Sequence, residues 1–405
     1  VSARRQLLLG AEQARGYAAD GGFFDAFAGE AIGTEAQKAQ VRASAEQART
    51  AYREIAGVLE SLVPQAPEAD AVGRDAYQLH SRTFLGTEID LEETYAWGVE
   101  ELRAIIAEQE QVAARLNERY ATGGGSSVAA ARQALSADPA RLLHGTDALQ
   151  AWMQQLSDSA IRDLAGTHFD IPEPLHRLEC RIARTGSGGI YYTGPSEDLT
   201  RPGRMWWDVP AGTEEFRTWE QTTTVYHEGV PGHHLQVGIQ TLQADTLNRW
   251  RAMLCWVSGH GEGWALYAER LMEQLGYLED DGDRMGMLDA QRLRAGRVVL
   301  DIGLHLGLAM PTGLPGADGG AWDERTAWEF MTENWGVEEA ERRFELNRYL
   351  GWPGQAPSYK LGQRTWEQLR ERATAADSSP AAVRDFHRRA LELGSLPLSV
   401  LEGAL

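Results

Sequence analysis

Residues 91–120 read LEETYAWGVEELRAIIAEQEQVAARLNERY. Apolar residues return there every three or four positions between charged ones, which predicts one long amphipathic helix. The same periodicity predicts helices over about 36–62, 68–83, 146–165, 284–310 and 363–374. The opening residues, VSARRQLLLGAEQA, also fit an amphipathic helix better than a signal peptide. The chain starts without Met and partway into that helix, so a trimmed or processed N-terminus is expected. The Gly-Ser stretch at 123–127 is a loop after a helix, too short for a domain linker. The expectation is a mainly α protein. Residues 1–90 form an N-terminal helical segment, packed as one unit with a helical region over 91–405 that carries the chemistry.

One region breaks the pattern. Residues 186–212, GSGGIYYTGPSEDLTRPGRMWWDVPAG, hold two short aromatic and β-branched runs separated by turn residues, which predicts a small β-hairpin or sheet element. A second Gly/Pro-rich stretch, PTGLPGADGG at 311–320, reads as a surface connection after a helix.

The 405 residues suffice for one large domain or two closely packed ones. Hydrophobic content of 43% is ordinary, and no apolar run approaches the ~20 residues that span a bilayer. The formal charge is −20, from 39 Lys+Arg against 59 Asp+Glu. That balance argues against nucleic acid and anionic membrane as partners, since both need basic patches. A cytoplasmic location is expected, with export left open by the trimmed start. Cys180 and Cys255 are the only cysteines, so neither a disulfide framework nor a cysteine-rich metal site is expected.

Four of the ten histidines, His227, His233, His234 and His260, crowd between residues 227 and 260. Three of them fall in TTTVYHEGVPGHHLQ, residues 222–236. A His followed at once by Glu resembles the start of the zincin motif H-E-x-x-H, in which two His hold zinc and the Glu activates the attacking water. The strict motif fails here, because the position four after His227 is Pro231. On an unbroken helix, residues six apart lie about 9 Å apart along the axis, so His227 and His233 could not share an ion. The Pro231-Gly232 pair changes this, since proline removes a backbone donor and glycine tolerates unusual dihedrals. A bulge or loop absorbing two residues returns His233 to the required place. His234 needs three residues absorbed and ranks second as a ligand, with a substrate contact as its other role. A third ligand is expected from SGHGEGWALYAERL at 258–271, where Glu262 and Glu269 are seven apart and share a helix face. Glu262 is taken as the ligand and Glu269 as the residue behind it.

The combination of H-E-G-V-P-G-H-H-L-Q with E-G-W-A-L-Y-A-E resembles the bacterial family catalogued as domain of unknown function 885, whose members are regarded as zinc peptidases of the gluzincin type. Three further segments fit in order: YYTGPSEDLTRPGRMWW from 191, RAGRVVLDIGLHLG from 294 and RYLGWPGQAPSYKLGQR from 348. The resemblance runs from about residue 90 to 375. It implies a gluzincin-like helical core with a small β-element before the metal helix. It also implies one Zn2+ per chain and, through similarity to the N-E-G-F-A segment of aminopeptidase N relatives, Glu262 as a ligand. In zincins an edge strand before the metal helix binds the substrate backbone. Tyr191 and Tyr192 are placed for that role, or for a packed aromatic hairpin.

Arg297, Asp301 and His305 recur every four residues and share one helix face inside an apolar stretch, where unpaired burial would be costly. They form either a site-facing network or a buried salt-bridged helix. His305 could bond an oxyanion, and Asp301 could orient a metal-bound His. Tyr349 or Tyr359 could stabilise the tetrahedral intermediate, while Arg348 or Lys360 could hold a peptide's C-terminal carboxylate. The expected activity is zinc-dependent hydrolysis of short peptides with Glu228 as general base. The alternatives are a metal-dependent amidase or other peptide-modifying hydrolase, and a non-catalytic scaffold with a structural metal.

Overall fold

The computed structural model describes residues 2–183, 189–210 and 212–405. Three helices come first: α1 (Arg4–Ala18), α2 (Phe23–Gly29) and α3 (Glu35–Leu62). α3 begins where Thr34 and Gln37 cap each other reciprocally, satisfying backbone donors that a helix start leaves free. These helices pack on one another around Ala11, Ala14 and Ala56, with Tyr52 and Leu59 beside them, a cluster separate from the main core. They reach the rest of the chain through Arg5, paired with Asp70 and Glu324, and through Gln6 Nε2, which donates to the Asn347 carbonyl at 2.9 Å.

The helices that follow are α4 (Arg74–Leu85), α5 (Leu91–Arg119), α6 (Val128–Ala137), α7 (Thr146–Leu164), α8 (Thr218–Glu228), α9 (His233–Leu242) and α10 (Arg249–Met253). They continue with α11 (Ser258–Gln274), α12 (Asp281–Leu306), α13 (Glu324–Asn334), α14 (Glu339–Gly351), α15 (Ser358–Ala373), α16 (Pro380–Glu392) and α17 (Leu398–Ala404). α11 and α12 are buried almost all round, which marks them as the central helices. α11 lies along α15, and α12 lies along α5 and α8. The α11–α15 crossing needs glycine on both sides. A Cβ on Gly362 would sit 1.9 Å from the Gly259 carbonyl oxygen, and one on Gly263 would sit 2.4 Å from the Gly362 backbone. That approach sets the start of α15 against the start of α11, where the Ser258 and Ser358 hydroxyls meet at 2.8 Å.

Seven short strands are present among the described residues: β1 (Leu142–His144), β2 (Leu178–Ala183), β3 (Ile190–Thr193), β4 (Gly203–Asp208), β5 (Glu215–Arg217), β6 (Thr312–Leu314) and β7 (Ala317–Asp318). β3 and β4 pair antiparallel with Tyr192 opposite Met205, while β2 pairs parallel on the other side of β4, giving the order β2-β4-β3. β1 pairs with β5, and β6 with β7.

The mainly helical reading holds, and the long periodic stretches appear as α3, α5, α7 and α12. α4 starts at Arg74 rather than near 68 because Gly73 adopts φ 78°, which a right-handed helix cannot contain. α12 stops at Leu306 rather than 310 because Gly307 turns left-handed at φ 65°. α15 begins five residues before the predicted 363, at Ser358. The predicted hairpin is there as β3 and β4, with a third strand, β2, that precedes the predicted region; residues 186–188 and 211 of that region lie outside the described residues. The 311–320 stretch is the small β6–β7 pair linking α12 to α13. No helix among the described residues is long and apolar enough to cross a membrane.

Candidate metal centre

α8 ends at Glu228 and α9 begins at His233, so Gly229-Val230-Pro231-Gly232 is a loop between two helices and not a bulge within one. The loop is tight: Gly232 N–H donates to the Tyr226 carbonyl at 3.1 Å and His234 N–H to that of Gly229 at 3.1 Å. A Cβ on Gly232 would lie 1.9 Å from the His227 carbonyl oxygen, so only glycine fits there. The Val230–Pro231 peptide is cis. Trp264, two residues past Glu262 on α11, donates from Nε1 to the Pro231 carbonyl at 2.8 Å and ties the loop to the third helix.

This turn brings the side chains of His227 and His233 together, their ring centres 4.8 Å apart. Glu262 Oε2 stands 3.4 Å from His227 Nε2 and 3.6 Å from His233 Nε2. One ligand atom from each of the three residues lies within 4.8 Å of the others. Behind the cluster, Glu269 Oε1 accepts from His227 Nδ1 at 2.7 Å, and its Oε2 accepts from the Thr223 hydroxyl at 2.6 Å. Because Nδ1 carries that proton, the Nε2 lone pair of a neutral His227 faces Glu262 and His233. Without an ion, burial works against charge on His227, yet Glu262 and Glu269 hold it up to about 10. Burial alone would raise Glu262, but His227 and His233 keep it well below the ordinary carboxylate range. A cation is the natural replacement for the proton these groups share.

Glu228 is the remaining carboxylate of the motif. It is buried, and its Oε2 has no hydrogen-bond partner among the described residues. Burial pushes it upward, Glu262 and Glu269 add to that, and the two imidazoles oppose it. An orphaned buried carboxylate oxygen costs free energy unless a ligand or water completes it.

His234 does not join the cluster. Its Nε2 donates to the Leu175 carbonyl and its Nδ1 accepts from the Tyr192 hydroxyl, both at 2.9 Å. With both ring nitrogens used and burial holding it down to about 4, it is a neutral strut between α9 and β3. Neither the second-ranked ligand role nor a substrate contact is open to it. Tyr192 is the other half of that strut, and Tyr191 is exposed and stacks on Trp206. Among the described residues β3 pairs only with β4 and so forms the sheet edge. His260 is fully buried and accepts from Gln236 Nε2 at 2.9 Å.

The α12 and α14 candidates divide differently from the sequence reading. Asp301 accepts from the Tyr77 hydroxyl at 2.7 Å and the Gly354 N–H at 2.8 Å; the carboxylate that orients a cluster histidine is Glu269. His305 Nε2 donates to the Tyr349 carbonyl at 3.0 Å, inside the core, which takes it away from an oxyanion. Arg297 donates to the Tyr349 hydroxyl and to Glu345, both at 2.6 Å, and the Tyr349 hydroxyl donates to Glu345 as well. Arg348 pairs with Glu345 and Gln355, and Lys360 with Glu101, Gln291 and Gln363. Tyr349, Arg348 and Lys360 are therefore held in structural networks. Tyr359 is not. Its hydroxyl makes no hydrogen bond to another described residue, and the Glu262 carboxylate is close enough to raise it further after burial.

Three contributors escaped the sequence reading. Thr223 holds Glu269, Trp256 packs its partly exposed indole against His233 with ring centres 5.4 Å apart, and Arg294 lies over the Tyr359 ring. Thr223 lies four residues before His227, one turn back on α8, a usable signal. Trp256 and Arg294 had none that separates them from core or surface residues.

Fold and cluster together define a mainly helical protein with a candidate metal centre of two buried histidines and one half-buried glutamate. Residues 1–405 match the model of a family described as bacterial proteins of unknown function, DUF885, and the chain belongs to that family. Two solved structures, both described as putative lipoproteins, share the fold. The one from Colwellia psychrerythraea is 25% identical with a TM-score of 0.82, covering 100% of this chain and 70% of the other. The one from Shewanella oneidensis is 18% identical with a TM-score of 0.72, covering 99% of this chain and 73% of the other. No curated protein matches the chain.

Proposed function

We propose that this chain is a zinc-dependent peptidase of gluzincin-like design acting on short peptides, with His227, His233 and Glu262 as ligands and Glu228 as general base. The observation that carries this reading is the buried, unpartnered Oε2 of Glu228 beside three converging ligand atoms. A purely structural ion would have no use for that carboxylate. Two imidazoles and one carboxylate suit zinc and leave coordination positions for water and substrate. Bound there, zinc would supply Lewis acidity to an attacking water and to the scissile carbonyl. Glu228 takes the proton of that water and returns it to the leaving amine. Tyr359, whose hydroxyl is uncommitted, donates to the developing oxyanion. The β3 edge offers backbone groups to an extended peptide, with Tyr192 fixed by His234. The lipoprotein description of both structural neighbours favours an exported, membrane-anchored setting over the cytoplasmic one expected from composition.

The test is Glu228→Gln, assayed for zinc by mass spectrometry and for hydrolysis of a peptide library. Retained zinc with kcat down about 10²–10⁴-fold is the expected result. Hydrolysis at the original rate, or a wild-type protein that takes up no metal, would overturn the proposal.

A further inference from the structure

Two arginines of α12, Arg294 and Arg297, stand over the Tyr359 ring, their guanidinium carbons 5.1 and 5.2 Å from its centre. They are not equivalent. Arg297 is neutralised by Glu345 and bonded to Tyr349. Arg294 makes no hydrogen bond and no ion pair with any described residue, and its Nε is shielded from solvent. Two carboxylates act on it from a distance, Glu269 and Glu341, and neither reaches ion-pair range. Glu269 is in any case held by His227 and Thr223. Arg294 is half-buried, with only its Nε shielded, and burial and the neighbouring Arg297 both work against its charge, so it stands as a partly exposed cation to which no described residue pairs. Stacking on the Tyr359 ring holds the guanidinium in place.

Its position connects it to the metal cluster. Tyr359 is at the start of α15, adjacent to Ser358, whose hydroxyl meets that of Ser258 at the start of α11; Glu262 lies one turn further along α11. The Tyr359 phenol senses the Glu262 carboxylate, and Arg294 senses Glu269. α11, which carries Glu262 and Glu269, packs against both α15 and α12, so the cation stands near the cluster, with a planar fork of donors suited to a carboxylate.

We infer that Arg294 is the substrate-carboxylate anchor of this site, pairing with a carboxylate of the peptide bound at the His227–His233–Glu262 cluster. This rests on the peptidase reading for the identity of the ligand. The carboxylate comes from the peptide's C-terminus or from an acidic side chain. A C-terminal source would make the enzyme act close to the end of its substrate.

The test measures binding and cleavage separately. Calorimetry on the zinc-loaded Glu228→Gln protein compares one pentapeptide as free acid, as C-terminal amide, and as an amide carrying a single Glu. The free acid, or the Glu-bearing amide if the side chain is the source, is expected to bind about 10- to 100-fold tighter than the plain amide. Adding Arg294→Gln should erase that difference, while Arg294→Lys, which keeps the charge, should retain much of it, with melting curves confirming that both variants fold. Equal binding of all three peptides, absence of binding, or a preference that survives Arg294→Gln would overturn the inference. A carboxylate preference lost in Arg294→Gln, with no peptide cleaved by the Glu228-bearing protein, would sustain the anchor and remove the peptidase reading. Cleavage accompanied by equal binding would do the reverse.

Discussion

Glu269 offers the sharpest separation of charge from scaffold in the site. Its two carboxylate oxygens accept from His227 Nδ1 at 2.7 Å and from the Thr223 hydroxyl at 2.6 Å, and the side chain is only 3% exposed. Glu269→Gln keeps the shape, an acceptor for the imidazole N–H and a partner for the hydroxyl, which can reverse its direction. What is lost is the negative charge that makes His227 a more basic ligand. Removing such a partner typically costs 10–100-fold in metal affinity, or about 1.4–2.7 kcal/mol. Glu269→Ala removes both bonds as well and leaves two buried polar groups unpaired, at roughly 1–3 kcal/mol each. The metal-free alanine variant should therefore melt well below the metal-free glutamine variant. Zinc affinity is read by competition with a chromophoric chelator, and stability by thermal melts of metal-free protein. If Glu269→Gln binds zinc as tightly as the parent, the carboxylate does not tune His227 and the reasoning fails. Complete loss of zinc in Glu269→Gln would also refute it, by showing Glu269 to be a ligand itself.

The two adjacent histidines should part company under substitution. His233→Ala removes one of three ligands and should leave little zinc after dialysis. His234→Ala should keep stoichiometric zinc while losing about 2–4 kcal/mol of stability, from two buried hydrogen bonds and a cavity; the opposite pattern in metal analysis and melts would reverse the ligand assignment. Asp283, in the first turn of α12, provides a pH test away from the metal. Burial, reinforced by Asp280, pushes it up to about 6, above the ~3.9 of an unfolded chain. Its folded form holds the proton more tightly, so its contribution favours folding below about pH 4 and is lost as pH rises through 6. Asp283→Asn should consequently gain about 1 kcal/mol on the parent between pH 4 and 7, after discounting for partial solvent contact and the helix dipole. A stability difference between the two proteins that stays flat over that range in denaturant titrations would refute it.

Much of the helical fold was legible because long amphipathic periods leave little freedom, as in Leu91–Arg119. The parallel strand β2 was not, because Leu178–Ala183 alternates burial weakly and its partner β4 lies beyond an intervening strand. The candidate metal cluster was legible for a physical reason too. His-Glu, Pro-Gly and His within seven residues can share an ion only if the helix breaks, and Pro231-Gly232 is where it breaks. Of the bulge and the loop that the sequence left open, the structure has the loop, four residues pinned by Trp264, and that contact was not visible because it comes from a later helix.

The residues around the cluster show why pattern alone could not rank them. Arg294 and Arg297, Tyr349 and Tyr359, His233 and His234 are matched in type, and the members of each pair differ in how many of their polar atoms are engaged. Arg297 and Tyr349 answer each other and Glu345, and His234 answers Tyr192 and Leu175. Arg294 Nε and Glu228 Oε2 have no partner among the described residues, and the Tyr359 hydroxyl makes no hydrogen bond to another described residue. Folding tolerates an unpaired buried group only where other contacts offset its cost of roughly 1–3 kcal/mol. Such atoms occur elsewhere in the interior too, but Glu228 Oε2 belongs to the carboxylate adjoining His227, one of three residues whose ligand atoms converge. On the proposed function, a bound peptide with a carbonyl, an amine and a carboxylate would satisfy Tyr359, Glu228 and Arg294 in turn.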